Sequence, residues 1–229
     1  MENYLHSNAR YYDQGQGYEA PNVESYVFRA HGRIFEHDFG LTGANGERVL
    51  DFGCGSGAAL AFFDSKGFDV YGVDISEKDL TRARDRMPHI PDHFRQVDAK
   101  PEASADLFGG KFDLVISIQT LYFLSDTDFS LALASIYNNM KSGGYIHASM
   151  IGEKAALFDF SEPAEDGLRN VTWSNDRIAY KDLYMNFTKS KEDLETRFSQ
   201  FEKIYIGHYD RDYRNEGSEF HYTFTGRKA

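Results

Sequence analysis

Nine residues, Val49-Leu50-Asp51-Phe52-Gly53-Cys54-Gly55-Ser56-Gly57, constrain the fold more than any other segment. They read as a buried strand running into a glycine-rich turn that opens a helix near Ala58. Glycine adopts backbone conformations closed to other residues, and its missing Cβ lets a ligand approach the main chain. The first N–H groups of the helix have no intrahelical partner and point at the same space. The unit therefore predicts an α/β chain with a nucleotide-like ligand at the turn.

Two ligand classes satisfy the loop. Gly53, Gly55 and Ala58 fit the dinucleotide pattern G-x-G-x-x-G/A, and Asp74 falls near the offset of ~20 residues where a ribose-binding acid is expected. Asp51 points elsewhere. A carboxylate two residues before the first glycine contributes nothing to a pyrophosphate and suits a cationic ligand. NAD stays open on the glycine spacing alone.

Downstream, strands near 47–52, 69–74, 93–97, 112–118 and 144–149 alternate with helices near 58–66, 77–87 and 126–140. That alternation predicts a doubly wound, mostly parallel sheet. Right-handed crossovers put every loop after a strand on one edge, where open sheets bind ligands. Asp51, Asp74, Asp98 and Gln119 then converge on one crevice.

The segment Asp51 to Gly57 resembles motif I of the class I S-adenosylmethionine-dependent methyltransferases. The resemblance extends to Val70–Ser76, Gln96–Ala99, Phe112–Gln119 and the Met140-Lys141-Ser142-Gly143-Gly144 turn, covering residues 47 to 150. It implies a seven-stranded Rossmann-like sheet closed by an antiparallel C-terminal hairpin, with S-adenosylmethionine as cofactor and S-adenosylhomocysteine as product. Carried over residue by residue, Gly53, Cys54, Gly55 and Gly57 pass under the amino-acid part of the cofactor, and Asp51 meets its ammonium. Asp74 takes the ribose hydroxyls, Asp98 the adenine amino group, and Ile75 and Ala99 flank the ring. Ser117 and Gln119 end the fourth strand beside the site, and Arg29 is a candidate partner for the cofactor carboxylate.

Composition narrows the partners. With 25 Lys and Arg against 36 Asp and Glu the formal charge is −11, which disfavours a nucleic-acid substrate. The single cysteine, Cys54, excludes an internal disulfide and paired-thiolate zinc sites; within the loop it reads as a small packing residue. No metal site is expected. The N-terminus lacks a signal region and no apolar stretch approaches ~18 residues, so the expectation is a cytoplasmic protein without a membrane contact.

Residues 1–40 are expected to form an arm and helix capping the cofactor site, and 41–229 the catalytic domain. Residues 1–20 are polar, against a buried helix, whereas Val23, Tyr26, Val27, Ala30, Ile34 and Phe35 recur at helical spacing after Pro21, predicting a helix to about His37. Residues 151–189 exceed an ordinary connection of ~2–6 residues. This insertion, with extended pieces at Arg177–Tyr180 and Leu183–Phe187, either walls the substrate pocket through Trp173, builds a homodimer surface or merely covers the sheet. Lys191 to Phe201 reads as helix, and Lys203–Tyr209 with Glu219–Gly226 as the final hairpin, whose His208, Tyr209, Arg211 and His221 would border the pocket.

For the catalytic group, Ser117-Ile118-Gln119-Thr120 departs from the Asn/Asp-Pro-Pro-aromatic motif of families that methylate exocyclic or amide nitrogens. Oxygen or nitrogen of a small molecule remains as acceptor. The tyrosine-rich arm, the helix Val23 to Phe35 and the ending Tyr222-Thr223-Phe224-Thr225-Gly226-Arg227 more loosely resemble methyltransferases encoded with bacterial surface-polysaccharide genes, which implies O-methylation of a sugar or related small acceptor. Tyr122 is a candidate for orienting a hydroxyl, and of His31, His147, His208 and His221 the strand-end His208 is favoured as base. An NAD-dependent oxidoreductase and a noncatalytic S-adenosylmethionine-binding protein are the competing classes.

Overall fold

The computed structural model describes residues 4–13, 25–174, 179–212 and 217–229. Ten strands and six α-helices are defined there. The strands are β1 Arg48–Phe52, β2 Asp69–Asp74, β3 Phe94–Gln96, β4 Phe112–Ser117, β5 Met140–Ile151, β6 Ser161–Pro163, β7 Arg169–Ser174, β8 Ala179–Met185, β9 Glu202–Tyr209 and β10 His221–Arg227. The helices are α1 Tyr4–Asp13, α2 Ser25–Ala30, α3 Ala58–Asp64, α4 Glu77–Arg86, α5 Asp126–Asn139 and α6 Lys191–Arg197. Seven strands form one sheet in the order β3-β2-β1-β4-β5-β10-β9. Strands β1 to β5 pair in parallel, and β10 pairs antiparallel with both β5 and β9, as expected for a doubly wound sheet closed by a hairpin.

The central strands are apolar on both faces because helices cover both. On one face Leu50, Val115, Ile146 and Phe224 pack with Phe129 and Ile136 of α5 and Leu194 of α6. On the other, Val49, Leu114, Ile116 and Val70 pack with Val27 of α2, Leu60 and Phe63 of α3 and Leu80 of α4. Three helices begin at a serine whose hydroxyl accepts an amide of the first turn at 3.2 Å: Ser76 before α4, Ser125 before α5 and Ser190 before α6. Helix α3 instead starts at Gly57, in the left-handed region at φ 72° and with no side-chain cap.

The N-terminal segment departs from the polar arm expected. Residues 4–13 are helical, and Leu5, Ser7 and Asn8 are buried. The Asn8 amide donates to the carbonyls of Tyr184 (2.9 Å) and Phe123 (3.2 Å), and its oxygen accepts from the Tyr184 amide at 2.9 Å. One side chain thus occupies the hydrogen-bonding edge of β8 as a neighbouring strand would. The expected helix from Pro21 to His37 is α2 followed by a π-helical turn at His31–Phe35; Pro21 and Val23 lie outside the described residues. The insertion folds as a separate antiparallel sheet, β6-β7-β8, with Trp173 stacked on Tyr180 at 5.7 Å. Of its expected extended pieces, Arg177 and Ile178 lie outside the described residues. Strand β5 starts at Met140 rather than near 144.

Candidate functional site

The glycine loop is built from both sides. The Gly53 and Cys54 amides donate to the Val73 carbonyl at 2.8 and 3.0 Å, which ties the turn after β1 to the end of β2. Asp74 then binds the loop directly: its carboxylate accepts from the Gly55 amide at 2.8 Å and from the Ser76 amide at 2.9 Å. Each oxygen keeps a further lone pair for another donor. Gly53 has φ 86°, and a Cβ there would stand 2.2 Å from Thr120 Cγ2. Gly57 suits the place where α3 meets α4, since it has φ 72° and a Cβ would lie 3.0 Å from Ala83 Cβ. Gly55 differs from both. It has φ 49° with nothing within 4 Å of an added Cβ, so its main chain is open to a ligand.

Asp51 is 4% exposed and lies mid-sheet, its register neighbours being Gly72 on β2 and Ile116 on β4. No described residue donates a hydrogen bond to its carboxylate. Burial, with the Asp74 charge second, pushes its pKa up to about 8. Burial also raises Asp74. A buried acid beside a half-buried one, with no basic side chain among the described residues bonded to either, makes a site that gains by taking up positive charge. A ligand bearing an ammonium fits here, and a pyrophosphate does not.

Cys54 is buried, its sulfur pressed against Gly72, where an added Cβ would stand 2.7 Å away. Burial pushes the thiol well above its ordinary range. It packs the loop onto β2. Asp98 is exposed just beyond β3, near Asp74 because the Val97 amide donates to the Asp74 carbonyl at 3.0 Å; its own carboxylate accepts from the Lys100 amide at 2.9 Å. Ile75 and Ala99 lie half-buried beside these acids, and the Ile75 carbonyl accepts from Gln96. Arg29 is exposed on α2 and makes no hydrogen bond or ion pair to any of these residues.

A second cluster gathers where β4 ends. Ser117 is buried and donates to the Phe52 carbonyl at 2.8 Å, so it joins two strands. Gln119 has φ 58°, a left-handed conformation that non-glycine residues adopt at some energetic cost, and functional sites concentrate such positions. Its amide is held by Ser149 Oγ at 2.8 Å, and its side chain donates to the Tyr209 hydroxyl and to Glu219, each at 3.3 Å. Tyr122 sits on the short 3₁₀ turn Leu121–Phe123, 6% exposed, its ring 5.5 Å from that of His221. His221 in turn stacks on Tyr209 at 5.0 Å.

His208 does not join this cluster. Side chains alternate along a strand, and the register pairs His208 with Tyr222 and Tyr209 with His221. His208 is therefore on the opposite face, exposed and stacked on Phe220 at 5.3 Å. The residue that sequence reasoning underweighted is His221. Once β10 is paired in register, its period of two places His221, Thr223 and Thr225 on the Tyr209 face. His147 shares that face, bonded by Tyr26 and, at 2.7 Å, by Thr225; burial lowers it to about 3. It is a structural histidine, as its apolar strand suggested. Among the described residues no group of His, Cys, Asp and Glu could hold a metal ion, and no helix is long and apolar enough to cross a membrane.

The sheet order is that of a Rossmann-like fold shared with solved methyltransferase structures. Residues 50–146 match the methyltransferase domain family. A ubiquinone biosynthesis O-methyltransferase from Aromatoleum aromaticum is 34% identical over 121 residues, 51% of this chain and 50% of that protein. The chain spans about half the length of the curated relatives it matches. Its fold is similar to that of magnesium protoporphyrin IX methyltransferase from Synechocystis PCC 6803, with bound S-adenosylhomocysteine: TM-score 0.57, 18% identity, covering 100% of this chain and 89% of that one. It is also similar to N-methyltransferase NodS from Bradyrhizobium japonicum WM9 in complex with S-adenosylhomocysteine: TM-score 0.59, 14% identity, 96% and 98% covered.

Proposed function

We propose that this chain transfers a methyl group from S-adenosylmethionine to an oxygen or nitrogen of a small-molecule acceptor. The observation that carries the reading is Asp51, a buried carboxylate without a donor among the described residues, beside a glycine turn whose middle residue is open to a ligand. The cofactor supplies a methyl group on a sulfonium, already activated for in-line displacement. Asp51 would hold the ammonium, Gly55 would allow close approach, and Asp74 would accept from the ribose hydroxyls while keeping the Gly55 amide. Asp98, Ile75 and Ala99 would border the adenine.

The chain's remaining work is to position the acceptor and keep water out. Gln119, Tyr122 and Tyr209 border that position where β4 ends, and the cap of α1 on β8 closes over the adjoining turn through Asn8 and Phe123. A nicotinamide dehydrogenase is the weaker reading, because nothing about Asp51 favours a diphosphate. A sugar of surface-polysaccharide type is one acceptor within the proposed class.

The test is incubation with methyl-labelled S-adenosylmethionine and a fractionated small-molecule extract that includes sugars and phenols, followed by mass identification of the product. Label in a small molecule is expected; label confined to protein or RNA would overturn the acceptor class.

A further inference from the structure

Resting on the methyl-transfer reading, we propose that His221 Nε2 is the general base, that the group it deprotonates is an acceptor hydroxyl, and that the reaction is O-methylation. His221 Nδ1 lies 3.0 Å from the Glu219 carbonyl. A carbonyl only accepts, so Nδ1 carries the single proton of the neutral ring and Nε2 carries the lone pair. Nε2 is buried and has no hydrogen-bond partner among the described residues, and the residue is 0% exposed. Buried polar atoms are almost always paired, so a buried acceptor nitrogen beside the site calls for a donor from outside the chain.

The surroundings fix that nitrogen in place. Tyr209 stacks on the ring at 12° between planes, and Tyr122 covers it at 5.5 Å. The Tyr209 hydroxyl is held by Gln119, so the imidazole is keyed to the end of β4. Among the described residues, the titratable groups facing it are Tyr122 from the turn after β4, Tyr209 at the end of β9, and Asp210, Arg211 and Glu219 from the β9–β10 connection. Arg211 pairs with Glu219 at 2.9 Å. Burial and Arg211 lower the imidazole to about 4, whereas the Glu219 carbonyl and Asp210 oppose them, so it is neutral at pH 7.

This environment selects the acceptor. A neutral amine attacks with its own lone pair and needs no base beforehand, and a carboxylate brings no proton. A hydroxyl becomes strongly acidic as its oxygen bonds to carbon, so even a weakly basic imidazole can take the proton then. In the step, the acceptor oxygen bonds to the methyl carbon, the carbon–sulfur bond breaks with its electron pair passing to sulfur, and the O–H proton moves to Nε2. The products are a methyl ether, a neutral thioether and an imidazolium, which burial disfavours and which returns its proton to water as product leaves.

The labelled-extract assay is repeated with His221→Gln, with binding of S-adenosylhomocysteine followed by thermal shift and the histidine nitrogens of wild type followed by ¹⁵N NMR. We expect an O-methyl product, a fall in kcat of at least ~100-fold in the variant with the thermal shift retained, and an unprotonated Nε2 from pH 5.5 to 8. Label on nitrogen, a variant within about threefold of wild type in kcat, or a protonated Nε2 would overturn the assignment. If wild type binds the homocysteine but labels nothing, the methyl-transfer reading falls instead. Should the variant not fold, the NMR measurement on wild type still decides the state of Nε2.

Discussion

Gly53 and Gly55 stand two residues apart and meet different demands. An alanine at 53 would drive its Cβ into Thr120 in a left-handed conformation, so Gly53→Ala is expected to lower stability by about 2–4 kcal/mol, read by chemical denaturation. Gly55→Ala meets no protein atom and should lower it by only about 1–2 kcal/mol, while weakening S-adenosylhomocysteine binding more than tenfold; equal stability losses would contradict this division. Asp51 adds a proton signature. With its pKa raised to about 8, it is largely protonated at pH 7, and a bound ammonium should release that proton. Titrations in buffers of different ionisation enthalpy should show net proton release at pH 7 that Asp51→Asn abolishes. These acids and glycines were legible in the sequence because their chemistry is local to one turn. The roles of His208 and His221 were not, since the face each occupies depends on the pairing of β9 with β10.

At the scale of elements, the N-terminal helix illustrates what a sequence conceals. Among its side chains whose burial is described, Leu5, Ser7 and Asn8 are buried, and it is anchored by hydrogen bonds of Ser7 and Asn8 with strand and turn backbone and of Tyr4 with Asp128. No periodicity encodes that. The five parallel strands were legible because apolar runs and glycine turns bound them, and the insertion was legible as an excess of length but not as a sheet of its own. Asn8→Ala removes three hydrogen bonds of about 1 kcal/mol each. It should release α1 without unfolding the sheet, so amide exchange in residues 4–13 should quicken strongly while exchange in β1 and β4 stays unchanged. A uniform loss of protection across the sheet would refute the picture of α1 as a docked cap.

For the whole molecule, buried ionisable groups set opposing pH limbs. Asp51 has a folded-state pKa raised from 3.8, so its contribution to stability is full in acid and is lost as pH rises towards about 8. Burial lowers His147 to about 3 and His221 to about 4, and lowers His31 as well. Their contribution is full above the unfolded value of 6.5 and is lost as pH falls below it. The ligand-free protein should therefore reach its highest thermal midpoint near pH 6.5, and bound S-adenosylhomocysteine should flatten the alkaline limb by neutralising Asp51. A midpoint that climbs steadily to pH 9 without ligand would contradict the Asp51 assignment. The central claim, that Asp51, Gly55 and Asp74 form a crevice for S-adenosylmethionine, is tested most directly by calorimetric titration with S-adenosylhomocysteine and with NADH. The account predicts saturable binding of the former, weakened at least ~10-fold by Asp74→Ala, and none of the latter; binding of NADH with no response to S-adenosylhomocysteine would contradict it.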